Sequence, residues 1–173
     1  QGRSWVSEPG NLYATLLTRL DAAPADAGQV SFVTALAVAE AVAAAAPGLD
    51  GEISLKWPND LLLGGRKLAG ILIEAVPGGL AAIGCGINLR HRPDASETRF
   101  PPAALAEFGV MITPEEMLGH LAAALARRMA QWAGGPGFAA IRDGWLKRAH
   151  GLGAEVAMEA AGITLMRGDP ALV

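Results

Sequence analysis

The sequence is poor in several features that would otherwise decide its class. It holds one cysteine, Cys85, so no internal disulfide framework can form, and a reducing compartment, the cytoplasm, is expected. Charged residues make up 18% and the net charge is -3, which leaves no basic footprint for nucleic acid or for an anionic membrane. No apolar run reads as a membrane span. The most apolar stretch, Val30 to Ala46, is 17 residues long, rich in alanine, and interrupted by Glu40. A helix of a soluble protein is expected there.

The common nucleotide and metal motifs are missing too. Gly84-x-Gly86 has Leu89 where a dinucleotide fingerprint has its third glycine, and it runs into a charged loop. Gly64-Gly65-Arg66-Lys67 has neither the spacing nor the Ser/Thr of a phosphate-binding loop. His91, His120 and His150 stand apart and match no zinc-ligand spacing, so no metal site is expected. Cys85 lies between two glycines in an apolar strand with no histidine near it, which describes a buried, inert thiol.

What is present is a globular composition, 51% hydrophobic over 173 residues, enough for one domain with a real core. Apolar patterning predicts strands over Asn11 to Leu20, Ile53 to Trp57, Leu61 to Leu63, Lys67 to Val76 and Leu80 to Leu89. Helices are expected over Ser31 to Ala46, from Pro114 behind a Thr113 cap, and around Phe138 to Leu146. Leu118, Leu121, Leu125 and Met129 are the expected buried stripe of the second helix. Residues 90–102 read as an exposed connection, and 155–172 as one or two weak strands. Strands that come first and paired, with helices mostly after, argue an α+β fold: a mixed, mainly antiparallel sheet with helices packed on it.

Within this frame one stretch is unusual, Lys56-Trp57-Pro58-Asn59-Asp60 followed by Leu61 to Glu74. A lysine at the mouth of an apolar slot suits an anionic ligand with a greasy body. The same pattern also describes a structural ion pair of Lys56 with a carboxylate at a strand start. Strict alternation puts Lys67, Ala69, Ile71 and Ile73 on one face, and Leu68, Gly70, Leu72 and Glu74 on the other. Gly70, Gly84 and Gly86 leave three positions without side chains on neighbouring strands. Spacing alone reads these equally as a flat slot for a ligand ring or as the seat of a closely packed helix.

The run resembles the signature of biotin protein ligases, Lys-Trp-Pro-Asn-Asp followed by Lys-x-x-Gly-Ile-Leu-x-Glu, at Lys56 to Asp60 and Lys67 to Glu74. Gly2-Arg3-Ser4-Trp5-Val6-Ser7 with Pro9-Gly10-Asn11-Leu12-Tyr13, and Ile83-Gly84-Cys85-Gly86-Ile87-Asn88-Leu89, are similar to two further motifs of that family, in the same order. The resemblance covers residues 1–89 closely and the rest diffusely. It implies the biotin/lipoate ligase fold, which is like that of class II synthetases. It also implies activation of biotin by ATP, with Mg²⁺ as cation, to biotinyl-AMP, then transfer to a lysine of a biotin carboxyl carrier domain. Such chemistry requires positioning and positive charge where negative charge builds up, and no enzyme nucleophile. A sheet-edge homodimer is a further implication; nucleic acid and membrane are not among the implied partners.

On this resemblance Lys56 would lie between the biotin carboxylate and the α-phosphate, and Arg3 would order the loop that closes over the adenylate. Gln1, Gly2, Trp5, Gly70, Leu72, Gly84 and Gly86 would line the biotin and adenylate site, and Asn59, Asn88 and Lys67 would face the nucleotide. Trp57 fits a stacking wall or the core equally, and Lys67 fits a phosphate contact or a solvated strand end. Glu74 is expected in a structural ion pair. The family's arginine-rich loop should precede Gln1, so residues 1–150 are read as a catalytic domain lacking its N-terminal part, and 151–173 as a remnant of a small β-barrel. Rival readings are a lipoate or octanoate ligase of similar fold, and a non-catalytic fragment that binds biotin or the carrier. A biotin-responsive repressor would need a DNA-binding helix-turn-helix upstream.

Overall fold

The computed structural model of the chain describes residues 7–23, 25–76, 79–93 and 100–152. The weak strands expected over 155–172, and all but the first two residues of the expected barrel remnant, lie outside the described residues. Among the described residues five strands form one sheet: β1 (Leu12–Arg19), β2 (Ile53–Lys56), β3 (Asp60–Leu63), β4 (Arg66–Val76) and β5 (Leu80–Ile87). Three helices accompany them, α1 (Val30–Ala45), α2 (Pro114–Trp132) and α3 (Phe138–Leu146). The strand order is β1-β5-β4-β3-β2 and every neighbouring pair is antiparallel. The expected α+β architecture is what the chain adopts.

Gly64 and Gly65 join β3 to β4 in a two-residue hairpin, Leu63 pairing with Arg66. Both have positive φ, 56° and 74°, the geometry that matches the twist of the flanking strands and that glycine reaches without strain. Ala81, Ile83, Cys85 and Ile87 of β5 point to the buried side of the sheet, beside Ala69 and Ile71 of β4. That face carries the helices. The other face of β4 and β5 is left uncovered by them.

α1 fills the middle of the core. Residues 33–39 are all buried, more than one full helical turn, so this helix is apolar on every side and needs no amphipathic stripe. Its alanines, among them Ala37, Ala39 and Ala41 at 0% exposure, let neighbouring elements approach closely. Glu40 is the charged residue of α1, and it is partly buried against Arg127 and Arg128 of α2. Gln29, just before α1, accepts a hydrogen bond of 2.8 Å from the indole N–H of the fully buried Trp132 at the other end of α2.

α2 starts as its sequence dictates. The Thr113 hydroxyl accepts from the Glu116 N–H, and the Glu116 carboxylate accepts from the Thr113 N–H and hydroxyl. Those bonds, the N–H first, hold the Glu116 carboxyl below the ordinary range. The buried stripe differs from the expected one: Met117, Leu121, Ala124, Leu125 and Trp132 are buried, Met129 is partly buried, and Leu118 is 45% exposed. Leu118 sits one residue, or about 100° of rotation, past Met117, and only one of the two can face the core.

The described part of the connection after β5 is exposed at 90–93 and 101, as expected, and turns inward at its end. It returns to the sheet, where Lys67 donates its N–H to the Pro101 carbonyl and accepts from the Ala103 N–H. Pro102 to Leu105 are buried as a result. A 3-10 turn follows at Leu105–Phe108, held by Glu107, which accepts from the Ala104 N–H and pairs with Arg66 and Arg92.

Asn11 ties the start of β1 to the end of β5. Its buried side-chain oxygen accepts from three successive backbone N–H groups, Leu89, Arg90 and His91, at 2.9, 3.0 and 3.1 Å. Its amide nitrogen donates to the His91 carbonyl at 2.8 Å. Asn11→Ala leaves three donors to find other partners, and is expected to cost about 2 kcal/mol. Asn11→Asp, which keeps the acceptor, is expected to cost less; urea denaturation of the two variants checks the order.

Candidate active site

The uncovered face of the sheet is organised by register. Lys56 pairs with Asp60, Asp60 with Gly70, Gly70 with Gly86, and Gly86 with Tyr13. One cross-strand row therefore runs over all five strands, with charge at one end, two glycines in the middle and a phenol at the other. The next row along sets Leu72 and Thr15 on either side of Gly84. The slot reading of the three glycines is the one the structure supports, because the helices pack on the opposite face. A side chain begun at Gly84 would meet the Leu72 carbonyl oxygen at 3.4 Å and the Thr15 hydroxyl at 3.9 Å. Leu72 itself is 57% exposed.

A β-bulge supplies the charged end with a second cation. Leu61 of β3 pairs with Ala69, but the adjacent Leu62 pairs with Lys67, so Leu68 has no opposite residue. The extra residue reverses the alternation. Leu68 turns into the core at 0% exposure, and Lys67 comes to the glycine face, its Nζ 3.8 Å from where a Gly70 side chain would begin. Strict alternation had assigned these two residues the other way round. The correction matters for charge, since it brings Lys67 to the same carboxylate as Lys56.

Asp60 is the meeting point. Its side chain is 12% exposed, with the Lys56 Nζ 3.5 Å from Oδ2 and the Lys67 Nζ 2.5 Å from Oδ1. Oδ1 is buried and takes no well-directed hydrogen bond among the described residues, so its contact with Lys67 is charge against charge. The structural ion pair weighed for Lys56 is thus present, but long. Lys56 also lies 5.2 Å from the centre of the Phe100 ring.

The neighbours of Lys56 brace its loop. The Asn59 amide donates to the Ile71 carbonyl at 2.9 Å, and the Ile71 N–H donates back to the Asn59 carbonyl. The Asn88 amide donates to the Ala103 carbonyl. Each amide thus gives one of its two N–H bonds to backbone. Trp57, after Lys56, turns to the helices and stacks with Phe32 of α1 at 5.0 Å and Trp145 of α3 at 6.2 Å. It belongs to an aromatic cluster and not to the glycine floor. Glu74 is exposed and forms no ion pair among the described residues, against expectation. Its antiparallel partner is Ala82, so no cation stands opposite it. Gln1, Gly2, Arg3 and Trp5 lie outside the described residues.

Sequence reasoning missed Tyr13 and Thr15 as walls. Alternation along β1 carries the signal, but only the register to β5 places them beside the glycines. It also missed Phe100, whose ring nears Lys56 because the connection folds back.

Residues 1–88 match the biotin/lipoate A/B protein ligase family. The chain belongs to that family. It is 43% identical over 161 residues to the biotin–[acetyl-CoA-carboxylase] ligase of Paracoccus denitrificans, covering 88% of this chain and 66% of that protein. Over 97 residues it is 44% identical to the bifunctional ligase/repressor BirA of Escherichia coli K12, covering 53% of this chain and 29% of the relative. The chain thus spans less than two thirds of the length of these relatives. Its fold is similar to that of the Aquifex aeolicus biotin protein ligase in complex with biotin and ATP, with a TM-score of 0.72 at 25% identity over 86% of this chain and 62% of the other. The Leishmania major biotin protein ligase in complex with biotinyl-5-AMP has the same fold, with a TM-score of 0.75 at 22% identity over 98% of this chain and 71% of the other.

Cys85 is buried on the helix side of β5, and burial pushes its thiol up to about 11 from the ordinary 9.0. The fold therefore favours the neutral thiol, and the unfolded chain gives up its proton first. Stability is expected to fall as pH rises from about 9 to about 11, and Cys85→Ala should remove that part of the decline. Thermal melts of both proteins over this window check it.

Proposed function

We propose that this chain is the catalytic core of a biotin protein ligase, which joins biotin and ATP to form biotinyl-5'-AMP and pyrophosphate, then passes biotin to a lysine of a carboxyl carrier domain. The observation that carries the reading is the row from Lys56 to Tyr13. Its two glycines give a flat floor for a fused ring, and its lysine end gives a partner for a carboxylate. The complex of the Aquifex aeolicus ligase with biotin and ATP supports the same ligands here.

In this reading a carboxylate oxygen of biotin attacks the α-phosphorus of ATP, and pyrophosphate leaves with the electron pair of the broken P–O bond. Lys56 stands where both anions meet, offsetting the charge that develops on the phosphoryl oxygens. Mg²⁺ enters as part of the substrate, on the phosphates of ATP; the described residues hold no cluster of three or more ligands for it. The ε-amino nitrogen of the acceptor lysine then attacks the acyl carbon, AMP leaves, and the amine gives its proton to solvent. Leu72 and Gly84 would line the floor with Gln1, Gly2 and Trp5, Asn59 and Asn88 would face the nucleotide, and Arg3 would order the loop that closes over the adenylate. A cytoplasmic setting belongs to the same proposal. So does a homodimer through an edge of the sheet.

ATP–pyrophosphate exchange with biotin, lipoate or no acid tests the reading. Exchange is expected to need biotin, and Lys56→Ala to lower it by about 100-fold. Exchange with lipoate alone would move the chain to the other branch of its family, and no exchange from a folded chain would make it a binding fragment. Gly84→Val fills the floor from the uncovered side. It should leave the melting temperature nearly unchanged and raise the KM for biotin by about tenfold, the effect of about 1.4 kcal/mol.

A further inference from the structure

Resting on the biotin-ligase reading, we infer that Lys67 and Asp60 are positioning residues for Lys56: Lys67 occupies the Asp60 carboxylate, and this leaves Lys56 free to turn to an anionic ligand on the glycine floor. The two contacts are unequal. Lys67 sits at 2.5 Å and Lys56 at 3.5 Å from different oxygens of one carboxylate. The Asp60 side chain is nearly buried while both lysine side chains remain partly exposed, Lys56 at 32% and Lys67 at 41%. A buried carboxylate without a partner is costly. If Lys67 were absent, Asp60 would draw Lys56 in and hold it.

The choice of residue fits such an exchange. Lysine is scarce in this chain: it supplies three of 14 basic residues, and arginine the rest. Two of the three meet at Asp60. A guanidinium grips a carboxylate with a rigid two-pronged fork, whereas an ammonium is a compact charge that changes partners by rotating. The mobile role therefore needs lysine at position 56, while position 67 needs only a lasting positive charge. The bulge at Leu68 is the backbone device that brings this second charge to the face where Lys56 works. With one carboxylate between two cations the cluster keeps a net charge of one, and without Lys67 it is neutral.

The test is a double-mutant cycle on the full chain, read by biotin-dependent ATP–pyrophosphate exchange. Lys67→Met is expected to lower kcat/KM by about tenfold, the order of one charge-assisted contact. Adding Asp60→Asn to it should restore most of that loss, because the competitor for Lys56 is gone. Lys67→Arg should keep most of the activity. A purely structural ion pair predicts the opposite order: the double variant no better than Lys67→Met. That result overturns the inference.

A second readout needs no ligand. With 15N-lysine labelling the chain shows few side-chain ammonium signals, and Lys56→Arg assigns that of Lys56. Lys67→Met should shift the Lys56 signal and slow its exchange with water, and Asp60→Asn in the same chain should reverse both. An unmoved Lys56 signal overturns the inference, whereas wild-type protein without biotin-dependent exchange overturns only the ligase reading.

Discussion

Pairing Gly70 with Gly86 is the constraint from which the rest of the uncovered face follows. Two adjacent strands that carry no side chain at the same level make a floor, and the residues next in register become its ends. Register carries this level outward to Asp60 and Lys56 on one side and to Tyr13 on the other. A slip of one residue between β4 and β5 would bring side chains onto the floor and turn core residues outward. The helices resist such a slip from behind, since Ile71, Ile83, Cys85 and Ile87 are buried against them.

Much of this was legible in the residues themselves. Period-two alternation placed Gly84 and Gly86 on one face, apolar patterning placed all five strands, and Thr113-Pro114 marked the start of α2 to the residue. The charged end was legible as composition, in Lys56, Asp60 and Lys67, but not as geometry. Alternation runs through a bulge without noticing it, because an unpaired Leu68 depends on what β3 presents opposite, and that is tertiary information. The same holds for residues 101–105. Pro101 and Pro102 read as the end of an exposed connection, and only the backbone of Lys67 gives Pro101 and Ala103 a place to bond, which buries Pro102. For Met117 and Leu118 the sequence offered two apolar neighbours, and packing chose between them.

The electrostatics are economical. Among the described ion pairs, Glu40 with Arg127 and Arg128 joins helices, and Glu107 with Arg66 and Arg92 fixes a turn. Both use arginine, whose fork suits a fixed link. Asp60 alone takes lysines, and it alone stands beside a floor without side chains. The division follows the physical difference between a clamp and a movable charge.

The capping of β2 has a mechanical meaning. Leu55 donates its N–H to the Arg148 carbonyl and accepts from the His150 N–H, so the chain leaving α3 is stitched to the edge of the sheet at that residue. The ring of Phe100, which nears Lys56, also meets His150 at 5.4 Å. The end of α3 is thus anchored at the residue before Lys56, and the Phe100 ring lies against both His150 and Lys56.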